Sequence, residues 1–468
     1  MSLESVFLTS VIDAKEGRDI ATADIPGAFM QADQDDVVHV RFRGKMAELL
    51  SSCDPAMYQK FLVKEKGETV MYAELSKALY GTLRAALLFW ILLTTTLMEW
   101  GFEVNPYDWC VANKNIDGKQ CTIIWHVDDL KISHVSYSVV TKILNKLSEK
   151  FGKLAPLTIT RGKVHEYLGM KLDFSDSGKV KIDMKQYIQD MLDELPDSFK
   201  GIAVTPAANH LFAIDEHAQK LAKEDADAFH TFTAKLLFLC KRARPDTQTA
   251  TSFLCTRVSG PDVDDLKKLR RVMQYLRGTL GLVLTLEAFD LHILKWSIDG
   301  SFAVHHDMKG HTGGSLSLGR GTISGVSTKQ KLNTRSSTET EVVAVDDCMP
   351  QVLWTRYFTE AQGYKVKDNI IYQDNMSAML LEKNGRASSS KRTRHINIRY
   401  FFITDRIKAK EIRVEYCPSK DLIADFFTKP LQGQLFYKLR AFILNLPEDD
   451  PSPAPDLDHR SVLEEQDS

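Results

Sequence analysis

The sequence predicts an α+β chain of two or three domains, and three observations carry that prediction. At 468 residues the chain exceeds what one hydrophobic core ordinarily serves. Its hydrophobic share of 44% and charged share of 26% are ordinary globular values, so there is ample material for a packed interior. The order of elements also changes along the chain, from mixed strands and helix, to a helix-periodic middle, to strands that then alternate with helices.

Taken in order, strands are expected at Asp36–Phe42 and Gln120–His126, with a long helical stretch over Tyr72–Trp100. From Asp183 to about Thr279, "IQDMLDEL", "FTAKLLFLCKRA" and "DDLKKLRRVMQYLRG" repeat apolar residues at helical spacing, with Gly278 as a stop. After Leu291 the pattern predicts strands at Ile293–Ile298 and Gly313–Gly319, a third strand, a helix over Thr338–Ala361, a strand at Asn369–Gln373, a helix, a strand at Ile412–Tyr416 and a last helix. Three antiparallel strands followed by an α/β alternation describe a mixed sheet flanked by helices. The expected division is 1–182, 183–290 and 291–446, with an acidic, proline-rich tail at 447–468 whose composition predicts disorder.

Several classes are disfavoured. The longest apolar run, Ala85–Trp100, is broken by Thr94, Thr95, Thr96 and Glu99, and reads as a buried helix instead of a membrane span. Seven scattered cysteines form no C-x-x-C pair, and the start lacks a basic region followed by an apolar core. A reduced, intracellular chain without structural disulfides or zinc is expected. The net charge of −2 does not advertise a nucleic-acid binder, but Lys383–Arg413 is locally basic, as are "CKRAR" (240–244) and "LKKLRR" (266–271). Solvated helix faces and phosphate contacts are both open readings of these clusters.

The stretch "TIIWHVDDLKIS" (122–133) sets Asp128 and Asp129 side by side between two apolar strands. The pair reads either as a turn, since aspartate tolerates turn geometry, or as two carboxylates that share a divalent cation. A rigid hairpin suits the second reading. Two ions about 3.5–4 Å apart need a third carboxylate, for which Asp24 in "TADIPGAFM" is the candidate.

At these residues the chain resembles a known family. "DIPGAF" resembles the first palm motif of reverse transcriptases, "LYGTLRAALLFW" (79–90) a copia-type block, and "HVDD" the double-aspartate box. "EYLGMKL" (166–172) and "RPDTQTATSFLCTRVSGP" continue the order, which is that of Pol polyproteins of copia-type LTR retrotransposons. The resemblance implies a reverse transcriptase palm with a helical thumb or connection. It implies Asp24, Asp128 and Asp129 as ligands of two Mg2+ (or Mn2+) ions, Phe29 as a steric gate, and Gly81 and Arg84 beside the incoming nucleotide.

A second carboxylate series follows. Asp299 lies inside the alternating strand "KWSIDGSFAV", where an unpaired buried carboxylate is costly. "NTRSSTETEVVAV" reads as a helix start capped by Ser337 or Thr338, with Glu339 in the first turn, where it also suits the helix dipole. Asp374 ends the strand of "IIYQDN", and Asp425 sits on the apolar helix of "DLIADFFTKPL". In this order the four resemble the D-E-D-D set of ribonuclease H, over about Leu291–Leu446. The resemblance implies a second site holding two Mg2+ ions that hydrolyses the RNA strand of an RNA/DNA hybrid. Lys391, Arg392, Arg394 and His395 would lie near the hybrid's phosphates.

Departures accompany the match. His126 stands where the family carries tyrosine, "GTLRAALLFW" lacks the family's proline and lysine-glutamine pair, and only about twenty residues precede Asp24. The expectation is a piece of Pol with truncated fingers. Its partners would be an RNA template, a DNA primer, the hybrid, deoxynucleoside triphosphates, and integrase or other Pol regions, with no membrane. Its setting would be a cytoplasmic virus-like particle and the nucleus. The alternative is a catalytically inactive or co-opted fragment that binds nucleic acid.

Overall fold

The computed structural model describes residues 1–385 and 397–447. It is a mixed α+β chain whose contacts divide it into two compact units, one of residues 19–104 and 109–161, the other of residues 2–18, 105–108 and 162 onward. The division differs from the expected one after residue 182 for a physical reason: Lys179–Asp183 pairs antiparallel with Leu284–Ala288, which ties the segment after residue 161 to the later chain.

The first unit is built on a six-stranded antiparallel sheet in the order Glu103–Val104, Val111–Ile116, Lys119–His126, Asp129–His134, Asp19–Asp24, Thr158–Arg161. Helix Tyr137–Phe151 buries Val140, Ile143, Leu144, Leu147 and Phe151, the apolar stripe of a 3.6-residue period, in a core shared with Trp125 and Ile132. Helix Ala85–Glu99 adds Phe89, Leu93 and Leu97 to it. The helix expected over Tyr72–Trp100 is shorter. Glu68–Glu74 is instead the central strand of a small antiparallel sheet with His39–Arg43 and Leu62–Glu65. Gly81 at φ +93° then interrupts the chain before the helix begins.

The second unit holds two five-stranded sheets. One is antiparallel, in the order Val164–Tyr167, Met170–Asp173, Lys179–Asp183, Leu284–Ala288, Gly319–Arg320. The other runs Ser324–Lys329, His311–Ser317, Ile293–Ser301, Asp368–Gln373, Arg413–Tyr416, antiparallel among its first three strands and parallel thereafter. This is the mixed sheet expected from the strand order. Helix Ser337–Ala361 packs on it, burying Val342, Val345, Met349 and Val352. The middle region carries helices Lys185–Asp193, Lys223–Cys240, Gln248–Cys255 and Val263–Gly278. Gly278 is the last helical residue and Thr279 the cap. Among the described residues no helix is long and apolar enough to cross a membrane.

Candidate metal and active sites

In the first unit, Asp24 ends its strand directly opposite Asp129, and the amide of Ile25 donates to the Asp128 carbonyl at 3.1 Å. His126 pairs with Asp129 across the hairpin, leaving Val127 and Asp128 as a two-residue turn. Val127 takes φ +59°, a conformation a β-branched residue adopts only under constraint. All three aspartates are half-buried. Desolvation and then Asp128 push Asp24 up, and desolvation followed by Asp128 and Asp24 pushes Asp129 up, with His126 partly offsetting. Both shifts have the same two causes, partial burial of the carboxylate and the like charge of its neighbours.

Around them, Phe29 stacks on Tyr80 at 5.8 Å, with its ring packed against the core. Gly81 has nothing near its Cβ position, so its backbone conformation alone requires glycine. Arg84 is held by Asp35 at 2.5 Å and by Asp36, so its guanidinium is already engaged.

In the second unit, the parallel register pairs Ser297 with Tyr372, and continuing that register two residues brings Asp299 level with Asp374. Ligand oxygens of Asp299, Glu341 and Asp374 lie within 4.8 Å of one another, and among the described residues no other trio of metal-ligating side chains approaches as closely. The acidic triad could hold a metal. Asp299 is 2% exposed and Glu341 5%, so solvent does little to relieve their repulsion. Desolvation, then Asp299 and Asp374, holds Glu341 well above the usual carboxylate range.

The glutamate in this cluster is Glu341, and Glu339 does not join it. The helix is capped by Ser336, one residue before the expected cap, and Ser336 Oγ accepts from the Glu339 amide at 3.3 Å. The Glu339 carboxylate turns back to accept from the Arg335 amide at 2.7 Å. Residues two apart on a helix face different directions, so one of the two glutamates can cap while the other points at the sheet. The S-x-x-E spacing of a capping box, Ser336 to Glu339, is the sequence signal that separates them.

Gly300 explains the close approach. A Cβ there would lie 2.6 Å from the Thr340 carbonyl oxygen, and the Gly300 amide donates to Glu341 Oε2 at 3.1 Å. Asp425, on the single turn Asp425–Thr428, is buried near Asp299. Burial and then Asp299 push it up to about 6. Sequence reasoning passed over three supports: Thr428 Oγ1 donates to Asp299, Ser419 Oγ donates to Asp374 at 2.6 Å, and Lys429 Nζ sits 2.7 Å from Asp425 and 3.5 Å from Asp299. Lys391, Arg392, Arg394 and His395 lie outside the described residues. Arg399, at the end of the same basic run, is paired with Asp346 and, at 3.4 Å, with Asp347.

The fold and site define a mixed α+β chain with buried, clustered carboxylates that could hold a metal, and comparison with known proteins adds the family resemblance. Residues 1–205 match the family described as reverse transcriptase (RNA-dependent DNA polymerase). The retrovirus-related Pol polyprotein from transposon TNT 1-94 of Nicotiana tabacum is 26% identical over 378 residues, covering 79% of this chain and 28% of that protein. The corresponding polyprotein from transposon RE1 of Arabidopsis thaliana is 27% identical, covering 80% and 25%. Residues 1–205 are thus recognised as the reverse transcriptase region of a copia-type retrotransposon Pol polyprotein, and the similarity to such polyproteins runs along about four fifths of the chain. It spans about a quarter of the length of these curated relatives. Among solved structures, the native prototype foamy virus protease-reverse transcriptase covers 85% of this chain and 43% of that one, at 13% identity and TM-score 0.22.

Proposed function

We propose that the chain is an RNA-directed DNA polymerase fused to a ribonuclease H, with Asp24, Asp128 and Asp129 serving synthesis and Asp299, Glu341, Asp374 and Asp425 serving hydrolysis of RNA in a hybrid. The observation that supports the second site best is the convergence of three carboxylates within 4.8 Å, two of them buried. Oxygen-only donors fit Mg2+ or Mn2+ at both sites. Two such ions per site would supply a lowered pKa for the attacking oxygen and charge neutralisation at the leaving one.

The chain's own residues prepare the second site. Gly300 orients Glu341 through its amide, Thr428 and Ser419 fix one oxygen each of Asp299 and Asp374, and Lys429 offsets the charge of Asp425. Glu339 keeps the structural task of the helix start. In the first unit, Phe29 backed by Tyr80 serves as the steric gate beside Asp24. The partners of this reading are an RNA template, a DNA primer, their hybrid and deoxynucleoside triphosphates, with integrase or other Pol regions, in cytoplasmic particles and the nucleus.

Primer extension on poly(rA)/oligo(dT) tests the polymerase half. Extension with Mg2+ or Mn2+ that Asp128→Asn abolishes is expected, and extension unaffected by that change would overturn the assignment.

A further inference from the structure

The sheet face that carries Asp299 and Asp374 also carries Ser297 and Tyr372, two residues earlier on the same strands, and there, beneath helix Gly433–Leu444, it lines a cavity of about 720 Å3. Its floor is Ser297, Ser315 and Ser317, all buried. Their hydroxyls are satisfied locally: Ser297 accepts from the Ala424 amide at 2.9 Å, Ser315 bonds Thr322 at 2.9 Å, and Ser317 accepts from the Gly319 amide at 3.1 Å. Small side chains with no outward demand therefore leave space where larger apolar ones would meet the helix. Tyr372, Ile423, Phe442 and Leu446 wall it with apolar surface.

Three cations border this apolar space. Lys438 is neutralised by Asp421 at 2.5 Å. Lys295 and Arg320 have no ion-pair partner among the described residues. A largely apolar cavity of this size with a few convergent polar groups is the usual form of a small-molecule site.

We propose that this cavity binds an apolar anion, an aromatic or aliphatic body ending in a carboxylate or sulfonate, with the anionic end at Lys295 and Arg320. The segment that supplies Cys417, Asp421 and Ile423 to one wall also supports the carboxylates, because between them Ser419 donates to Asp374, and Ala424, next after Ile423, immediately precedes Asp425. Occupancy thus acts on the metal site, a consequence that rests on the reading given under Proposed function.

The test uses the full chain and anilinonaphthalene sulfonate as probe, followed by fluorescence and calorimetry. A single equivalent should bind. Arg320→Glu, at an exposed position, should weaken it by about tenfold, and Ala441→Trp should remove it by filling the cavity from the helix side. Binding unchanged in both variants would overturn the proposal. So would binding seen only in a chain ending at Pro447, which would give the cavity to the acidic residues 448–468. Mg2+ affinity measured with and without bound probe tests the coupling: a severalfold change is expected, and equal affinities would overturn it. Absence of Mg2+ binding even without probe would count against the proposed function and not against the cavity.

Discussion

Glu341→Gln and Glu339→Gln separate two roles that the sequence places two residues apart. Glu341 faces Asp299 and Asp374, so its amide variant should lower hybrid cleavage by at least about a hundredfold with the fold intact. Glu339 closes the helix start, so its variant should leave cleavage within a few fold and cost about 0.5–1 kcal/mol of stability in a denaturant melt. Equal loss of cleavage in both would contradict the assignment. Periodicity alone could not choose between them, because "SSTETE" offers a glutamate to either direction and only the identity of the cap decides. Ser336, one residue earlier than expected, is that cap. At the other cluster, Val127→Gly should stabilise the chain by about 1–2 kcal/mol by relieving a left-handed β-branched residue, read as a shift in the urea midpoint; a lower midpoint would show that its side-chain contacts outweigh the strain.

At the scale of elements, the second cluster depends on how closely helix Ser337–Ala361 meets strand Ile293–Ser301. Gly300 sets that distance, so Gly300→Ala should force the Thr340 carbonyl away and destabilise the chain by about 1–3 kcal/mol. Thermal unfolding checks it, and an unchanged midpoint would mean the helix gives way freely. These elements were legible because their signals are local. Strand Ile293–Ser301 alternates, helix Tyr137–Phe151 keeps a clean apolar stripe, and the hairpin around Asp128 is bounded by apolar runs. The helix expected from Tyr72 failed at its start, since Thr69–Tyr72 are as suited to a strand and tertiary pairing decided the matter. Lys429 and Ser419 could not be read at all, because their partners are brought near only by the fold.

At the scale of the whole molecule, the crowded carboxylates tie stability to pH and to divalent ions. Asp425 is held up to about 6 by burial and Asp299, so the folded chain binds that proton more tightly than the unfolded one. Its contribution therefore becomes less favourable as pH rises from about 4 through 6 in the absence of metal. In a chelator, Asp425→Asn should be more stable relative to wild type at pH 7 than at pH 5. A difference independent of pH would sink this linkage. Mg2+ at about a hundred times its dissociation constant should restore roughly 2.7 kcal/mol at pH 7.

The most direct measurement is cleavage of the RNA strand of an RNA/DNA hybrid by the wild-type chain, Asp374→Asn and Glu341→Gln, with Mg2+ and with chelator. Metal-dependent cleavage by the wild type alone is the expected result. Salt-sensitive hybrid binding without turnover in any of them, or cleavage that survives both substitutions, would contradict a catalytic site at Asp299, Glu341 and Asp374.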